Sequence, residues 1–338
     1  IVGATGAVGA MMLKVLSERR FPIKRLKLLA SKRSEGRLLS CGNFVGRTER
    51  LTKDSFNGID VALFSAGASR SLEFAPEAIK RGALVVDNSS AFRMREEVPL
   101  VIPEVNPQAI SQHHGLIANP NCSTIIMLVA LKPLHDAASI KRIIVSTYQS
   151  VSGAGARAMA QLISESKSIL KNLKVNSSMF GTDTSIMLKS KSKEQKPLPA
   201  QIAFNIIPQV DVFLENGATK EEMKMVEETR KILGEPLLPV SAICARVPVL
   251  IAHSEAIWIE TEKKLSPENA RAILQKANGV KVEDNGSLKR YPLPLQAAGQ
   301  DKVLVGRIRY DQSSPTNGLC LWVCGDNLRK GAATNAIQ

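Results

Sequence analysis

Short apolar runs alternate with segments of helical periodicity through the first third of the chain. The apolar runs that predict strands lie at 26–30, 61–66, 83–86 and 116–118. An intervening segment carries an apolar stripe at the 3.6-residue period, formed by Val8, Met11, Met12, Val15 and Leu16. Because strand–helix–strand units pair their strands in parallel, this region predicts an α/β, doubly wound sheet.

From about residue 140 the pattern changes to longer strands with fewer helices between them. The strand candidates lie at 140–151, 201–207, 243–250, 256–261, 303–311 and 319–324. Helical patterns fall at 154–173, 220–233 and 267–277, and in the tail from Asn327. Long strands with few crossovers favour an α+β domain with an antiparallel or mixed sheet. The polar, basic stretch 177–199 predicts an irregular insertion.

Composition adds bounds on compartment and partners. The 338 residues are enough for two domains with buried cores, and no apolar run approaches membrane-spanning length. Five scattered cysteines and four histidines indicate neither a disulfide framework nor a metal site. A reducing cytoplasm fits best, although the chain begins in what resembles the end of a strand, and a removed organelle-targeting segment is compatible with that.

The net charge of +14 would attract nucleic acid or small anions. Aromatic residues make up only 4% of the chain and do not alternate with basic ones, so no base-stacking platform is indicated. We therefore expect anionic small molecules rather than nucleic acid as ligands. The Lys-rich segment 189–196 is interpreted as a solvated loop.

A glycine-rich turn opens the first helix. It has the spacing G-x-x-G-x-x-G and contains Gly3, Thr5, Gly6, Ala7, Val8 and Gly9. Glycines after a strand let backbone N–H groups approach a pyrophosphate at a helix N-terminus, so the turn predicts dinucleotide binding. A glycine turn without a ligand is the alternative.

The end of the second strand bears on the choice of cofactor. An Asp or Glu there usually binds a free ribose 2′-hydroxyl, but this chain has Arg33 and Ser34. A cation and a hydroxyl suit a 2′-phosphate and favour NADP over NAD. A solvated basic turn is the alternative interpretation.

The sequence Asn119-Pro120-Asn121-Cys122 joins a short strand to a long apolar run. It places the Cys122 thiol on the first turn of a buried helix, where unpaired N–H groups and the helix dipole favour a thiolate. An ionised cysteine is a nucleophile, so covalent catalysis is expected.

Other candidates for the site are a few polar residues near strand ends and on one helix. His253 and Arg246 flank an apolar run, and Arg93 follows a predicted strand. Glu221 and Lys224 lie three apart, hence on one helix face. For each of these, a structural or solvated role is the alternative that the residue alone would favour.

Taken in order, these segments resemble the aspartate-semialdehyde dehydrogenase family over nearly the whole chain. The resemblance rests on GATGAVG, SKRSEGR, DNSSAFRM, PEVNP, NPNCST, YQSVSGAG, QIAFNIIPQ, EEMK, RVPVLIAHSE and SSPTNGLCLW. Each motif alone is weak, whereas the ordered series is specific.

The family resemblance implies a Rossmann-type domain and an α+β catalytic and dimerisation domain with a mixed sheet. We assign 1–121 with 318–338 to the first and 122–317 to the second. The resemblance further implies a homodimer, no metal, and NADP-dependent interconversion of aspartyl-4-phosphate and aspartate semialdehyde, with inorganic phosphate as co-substrate.

The resemblance also implies roles for individual residues. Cys122 matches the acylated nucleophile and His253 the acid/base. Arg246 matches the contact to the substrate α-carboxylate, Gln149 a substrate contact, and Glu221 the contact to the amino group. Either Glu221 or Glu222 could make that contact, and the spacing to Lys224 favours Glu221.

Two further sets of residues follow from the same resemblance. Arg93 and Lys224 match the phosphate-binding pair. The cofactor contacts match the glycine turn together with Arg33, Ser34, Ser152, Gly153 and Asn317.

Two rival interpretations differ in testable ways. N-acetyl-γ-glutamyl-phosphate reductase shares the fold and the cysteine chemistry, but its substrate has an acylated nitrogen, for which Glu221 is misplaced. A non-catalytic dinucleotide sensor or nucleic-acid-binding protein would not depend on Cys122 and would bind nucleic acid with salt-sensitive affinity. The ordered Cys, Gln, Arg and His series argues against this second class.

Overall fold

The computed structural model describes residues 1–172, 189–190, 197–314 and 317–338. The insertion predicted at 177–199 lies largely outside them. No helix in the described ranges is long and apolar enough to cross a membrane. The described α-helices are α1 (Ala7–Glu18), α2 (Ala68–Lys80), α3 (Cys122–Ala138), α4 (Ala156–Asn172), α5 (Lys220–Leu233), α6 (Pro267–Lys276), α7 (Pro294–Ala297) and α8 (Thr334–Ile337).

The first sheet is parallel, which confirms the doubly wound prediction. The strands of this part are β1 (Leu29–Ala30), β2 (Leu38–Cys41), β3 (Phe44–Arg47), β4 (Glu49–Arg50), β5 (Val61–Phe64), β6 (Leu84–Asp87) and β7 (Leu116–Ala118). The pairs β1–β4, β5–β6 and β6–β7 are parallel, and Val2 bridges Leu29 and Phe64. The antiparallel hairpin β2–β3 was not predicted, because half of its residues are exposed, none is fully buried, and its apolar pattern is weak.

The second sheet is mixed, as predicted. Its strands are β8 (Ile140–Gln149), β9 (Val240–Arg246), β10 (His253–Thr261), β11 (Val280–Val282), β12 (Val303–Tyr310) and β13 (Gly318–Gly325). They lie in the order β11-β12-β13-β10-β8-β9, with parallel pairs only at the two edges. The helices α3, α5 and α6 pack against this sheet, and α3 also contacts both α5 and α6.

One predicted strand is wrong. Residues 201–207 form turns, and only Ile207 makes an isolated bridge, to Arg246. The N–H groups of Ile202 and Ala203 donate to the Glu165 carboxylate at 2.8 and 3.1 Å instead of to a neighbouring strand. The apolar pattern reflected burial here rather than strand pairing.

The strand β13 also bears on the domain boundary. The sequence-based assignment places 318–338, and hence β13, in the first domain. In the structure β13 pairs with β10 and β12 inside the second sheet. The segment that follows, Arg329–Ala333 with α8, packs against α1. We therefore propose that the chain returns to the first domain after Gly325.

The helix α3 is the centre of the core. Eleven of its residues are buried, from Ser123 to Ala138. A helix that is apolar on all sides is stable only when it is enclosed, and α3 contacts β8, β10, β12 and β13 as well as α5 and α6. Its buried position holds its first residue, Cys122, in a fixed place.

Truncation of this core is expected to destabilise the protein. Leu128 is fully buried, so Leu128→Ala should lower the free energy of unfolding by about 2–5 kcal/mol. The matched control is Leu237→Ala, because Leu237 is 89% exposed and should change the free energy by less than about 0.5 kcal/mol. Urea denaturation measures both, and equal effects would contradict the assigned core.

Candidate active site

The nucleophile candidate sits at a capped helix start. Asn121 is the N-cap of α3, and its Oδ1 accepts hydrogen bonds from the N–H groups of Ser123 and Thr124 at 3.0 and 3.3 Å. This cap satisfies two of the N–H groups that a helix start leaves unpaired. Cys122 is therefore fixed on the first turn, as the sequence predicted.

The thiol faces the predicted acid/base. Cys122 Sγ lies 3.3 Å from His253 Nε2. The other ring nitrogen, Nδ1, accepts a hydrogen bond from the backbone N–H of Ser150 at 3.0 Å. Because a backbone N–H can only donate, Nδ1 carries no proton, and the proton of the neutral ring lies on Nε2. His253 therefore presents an N–H donor to the sulfur.

The electrostatics of this pair differ from the expected thiolate. Burial and the nearby charge of Glu221 raise the pKa of Cys122 to about 12, although Arg246, Arg93 and the N–H of Ser123 act in the opposite direction. Burial, with Arg246 adding to it, holds the pKa of His253 well below its usual range. In the ligand-free site both groups are neutral, because desolvation outweighs the helix dipole.

Two substrate-binding candidates adjoin the pair. Gln149 ends β8 and pairs with Arg246 at the end of β9, while His253 begins the neighbouring β10. Arg246 Nη1 donates to the Ser150 carbonyl at 2.8 Å, and burial lowers the pKa of Arg246 while Glu221 opposes that shift. Three adjacent strand ends thus bring these side chains together.

The helix α5 supplies the acidic wall. Glu221 is buried, and its Oε1 accepts from Asn121 Nδ2 at 2.9 Å and from Gln149 Nε2 at 3.0 Å. Glu222 instead completes a capping box with Thr219. The carboxylate that faces the site is therefore that of Glu221.

The two predicted phosphate-binding cations are both held by carboxylates. Lys224 Nζ lies 3.2 Å from Glu221 Oε2 and 2.8 Å from Asp211 Oδ2. Burial would lower the pKa of Lys224, but these two carboxylates outweigh it and raise the pKa. Arg93 Nη1 donates to Glu228 Oε1 at 2.9 Å. Each of the two cations is therefore bound to a carboxylate of α5.

The glycine turn forms a close-fitting cradle. A Cβ on Gly3 would lie 2.4 Å from the Ser65 carbonyl oxygen, and a Cβ on Gly9 would lie 2.2 Å from the Gly3 carbonyl oxygen. Gly6 caps α1 without a side-chain bond, so no side chain of its own covers the first turn. These features fit a dinucleotide phosphate at this helix start.

The remaining cofactor candidates divide into two places. Arg33 and Ser34 lie in a short 3₁₀ turn after β1, and the Leu29 carbonyl of β1 accepts a hydrogen bond from the N–H of Gly3 in the glycine cradle. Ser152 and Gly153 lie at the site, where a Cβ on Gly153 would be 3.0 Å from Arg246 Nη1.

Asn317 is not brought to the site. It precedes β13, eight positions from Gly325, the residue that pairs with His253. At about 3.3 Å per residue this is roughly 26 Å away. Its side chain donates to the Glu262 carbonyl at 3.1 Å. The prediction that Asn317 contacts the cofactor at this site is therefore not supported by its position.

Asn327 is a residue at the site that the sequence did not single out. Its Oδ1 accepts from the Ala252 N–H at 3.0 Å and from the hydroxyls of Ser150 and Ser152, both at 3.1 Å. Ala252 has a φ of 75°, which is rare for a residue with a Cβ. Asn327 thus holds the strained residue that precedes His253. The available signal was an amide two residues after the end of β13.

A metal centre has no support in the part of the chain that the structure covers. Among residues 1–172, 189–190, 197–314 and 317–338, no group of three or more His, Cys, Asp or Glu side chains is arranged to hold a metal ion.

Known proteins share both halves of this arrangement. Residues 1–113 match the family model "Semialdehyde dehydrogenase, NAD binding domain", and residues 131–330 match "Semialdehyde dehydrogenase, dimerisation domain". The whole chain is 52% identical to the aspartate-semialdehyde dehydrogenase of Aquifex aeolicus, covering 95% of it. It is 47% identical to that of Bacillus subtilis, again over the whole chain, covering 94% of it.

Solved structures agree with these matches. Aspartate semialdehyde dehydrogenase II from Vibrio cholerae, complexed with ASA, superposes with a TM-score of 0.91 at 44% identity, over 100% of this chain and 95% of that one. The Candida albicans enzyme with NADP superposes with a TM-score of 0.69 at 24% identity, over 99% and 95% of the two chains. At that lower identity the likeness shows the fold alone.

Removal of the Glu221 charge should make the thiol more reactive. With a pKa of about 12, on the order of one Cys122 in ten thousand is ionised at pH 8. Because the charge of Glu221 raises this pKa, Glu221→Gln should lower it and speed alkylation by iodoacetamide several-fold at pH 8.

The matched control is Glu227→Gln, on the exposed side of the same helix. Mass spectrometry of the peptide that contains Cys122 measures both rates. Equal rates in the two variants would show that Glu221 does not act on the thiol.

Proposed function

Because the chain belongs to the aspartate-semialdehyde dehydrogenase family, we propose that it reduces aspartyl-4-phosphate to aspartate semialdehyde with NADPH and releases phosphate. This reaction serves lysine, threonine and methionine biosynthesis. The observation that carries the proposal is the 3.3 Å contact of Cys122 Sγ with His253 Nε2 at the start of a buried helix. A positioned thiol with an adjacent imidazole suits acyl transfer through a thioester.

The substrate is oriented by its amino-acid end. Arg246 binds the α-carboxylate and Glu221 binds the ammonium group. Gln149, which lies between these two residues, donates a hydrogen bond to the substrate. Arg246 lies beside Gln149, whose amide reaches Glu221 at 3.0 Å, so the three groups line one wall. A free ammonium next to Glu221 favours an aspartyl substrate over an N-acetylated one.

Acylation joins the Cys122 sulfur to the acyl carbon. The Nε2–H of His253 and the positive end of the α3 dipole stabilise the thiolate and the tetrahedral oxyanion. The C–O bond to phosphate breaks with its electron pair on the leaving oxygen, which takes up the proton that the Cys122 thiol loses, and Arg93 and Lys224 neutralise the departing anion. A thioester on Cys122 remains.

Reduction of the thioester completes the turnover. NADPH, when bound by the glycine cradle with Arg33 and Ser34 at its 2′-phosphate, supplies the hydride. The oxygen that gains charge accepts a hydrogen bond from the Nε2–H of His253. It then re-forms the carbonyl as the C–S bond breaks with its electron pair on sulfur, the aldehyde leaves, and a proton from solvent restores the thiol. Ser150 and Asn327 keep the ring in this tautomer and position throughout.

We also propose a homodimer in the cytoplasm. The face of the second sheet away from α3 carries apolar side chains, with Trp258 next to Ile144 and Cys320. Such a surface suits a second copy of the chain. The five cysteines are free, which agrees with a reducing compartment.

The experiment that tests the activity is a comparison of two aldehydes. Aspartate semialdehyde with phosphate and NADP should give NADPH, measured by absorbance. N-acetylglutamate semialdehyde should give none, and NAD in place of NADP should give much less. A preference for the N-acetylated aldehyde would assign the chain to the rival reductase chemistry.

Loss of the thiol should separate binding from turnover. Cys122→Ala should lower kcat by at least about 10⁴-fold, because no acyl intermediate forms, while NADPH affinity is retained. Fluorescence titration measures the affinity. The matched control is Cys41→Ala, in the β2–β3 hairpin, which should keep full activity. Substantial activity in Cys122→Ala would exclude the covalent scheme.

A further inference from the structure

Glu228 lies on the face of α5 that carries the site. With Glu221, Lys224 and Lys231 it forms a series spaced by three, four and three residues, which is one helix face. Its side chain is 1% exposed and makes two hydrogen bonds. Oε1 accepts from Arg93 Nη1 at 2.9 Å, and Oε2 accepts from the backbone N–H of Asn121 at 2.6 Å.

The first of these bonds orients the guanidinium of Arg93. Nη1 is bound by Glu228 and Nη2 donates to the Asn88 carbonyl at 3.1 Å. The Nε–H is buried and has no hydrogen-bond partner among the described residues. A buried donor without a partner is costly, so this edge of the guanidinium suits an oxygen of a ligand.

The loop that carries Arg93 is held by the same helix a second time. Lys231 Nζ donates to the carbonyls of Arg93, Arg95 and Val98 at 2.8, 2.6 and 2.9 Å. Three acceptors on one ammonium group leave the loop little freedom. Lys231 binds the backbone of Arg93, and Glu228 binds its guanidinium. Both residues belong to α5, so this helix sets the position of Arg93.

The second hydrogen bond of Glu228 is to the residue that precedes the nucleophile. Asn121 directly precedes Cys122 and caps α3. Its N–H would otherwise be a buried donor, and a carboxylate is the strongest acceptor the chain can offer it. Glu228 is separated from Arg93 by 135 residues and from Asn121 by 107, so it joins three distant segments.

We propose that Glu228 is a positioning residue that couples the phosphate-binding arginine to the N-cap of the nucleophile helix. The inference rests on the proposed function, in which Arg93 binds inorganic phosphate. Because Arg93 and Asn121 each donate a hydrogen bond to the same planar carboxylate, the distance and orientation between them are fixed. Phosphate bound at Arg93 is thereby presented at a set distance from the acyl carbon on Cys122.

The variant that tests the coupling is Glu228→Gln. The amide has almost the same size but only one acceptor oxygen, and its NH₂ group meets a donor, so one of the two bonds is lost together with the charge. The KM for phosphate should rise at least about tenfold, while the KM for aspartate semialdehyde is unchanged. The matched control, Glu227→Gln, removes the same charge from an exposed position of α5 and should change neither KM.

A substrate-free measurement separates this inference from the proposed function. Inorganic phosphate should protect Cys122 from iodoacetamide, and Glu228→Gln should need at least about tenfold more phosphate for half protection than Glu227→Gln. Equal half-protecting concentrations would overturn the coupling. Protection of the wild type without phosphate-dependent aldehyde oxidation would sink the proposed function and leave the coupling standing.

The wild-type protein provides a test that needs no variant. Hydrogen exchange at the Asn121 amide reports the bond to Glu228 directly. Phosphate bound at Arg93 steadies that carboxylate and should slow the exchange several-fold. Exchange that phosphate leaves unchanged would contradict the coupling even if Glu228→Gln failed to fold.

Discussion

The capped start of α3 is the constraint on which the rest of the site depends. Residues 123–131 of this helix are buried without interruption, so the groups at its first turn must be satisfied by protein. Asn121 does this with its side-chain oxygen, and its own amide groups bind Glu221 and Glu228. Glu221 and Glu228 are therefore tied directly to this buried helix end, and Arg93 is tied to it through Glu228.

Charge in the site is balanced before any ligand binds. The three cations are Arg93, Lys224 and Arg246; the first two are ion-paired with carboxylates, and the third binds a backbone carbonyl. Burial keeps the Cys122 thiol and the His253 imidazole neutral, because the desolvation free energy of a charge in this interior exceeds the stabilisation by the helix dipole. The ligand-free protein thus holds Cys122 as a thiol, and the cations around it already have fixed positions.

Local patterns predicted well wherever a segment makes its own structure. The helix at 220–233 has the predicted bounds, because its capping box, its final glycine and its apolar spacing are all local. The predicted strand at 201–207 failed because a distant carboxylate, that of Glu165, binds its N–H groups. The prediction for Asn317 as a cofactor contact has no support from its position, because its motif says nothing about which end of β13 meets the site.

The sequence by itself determined the two-part fold, the glycine cradle and the place of Cys122 on a helix, since these follow from hydrophobic period and turn chemistry along neighbouring residues. Only the tertiary structure decided the protonation of Cys122 and His253. Desolvation raises the pKa of the thiol, and the Ser150 N–H selects the tautomer of His253. Only it revealed Glu228 and Asn327, because their partners lie more than 70 residues away along the chain. Burial and long-range hydrogen bonds depend on how distant segments meet, and no local pattern records that.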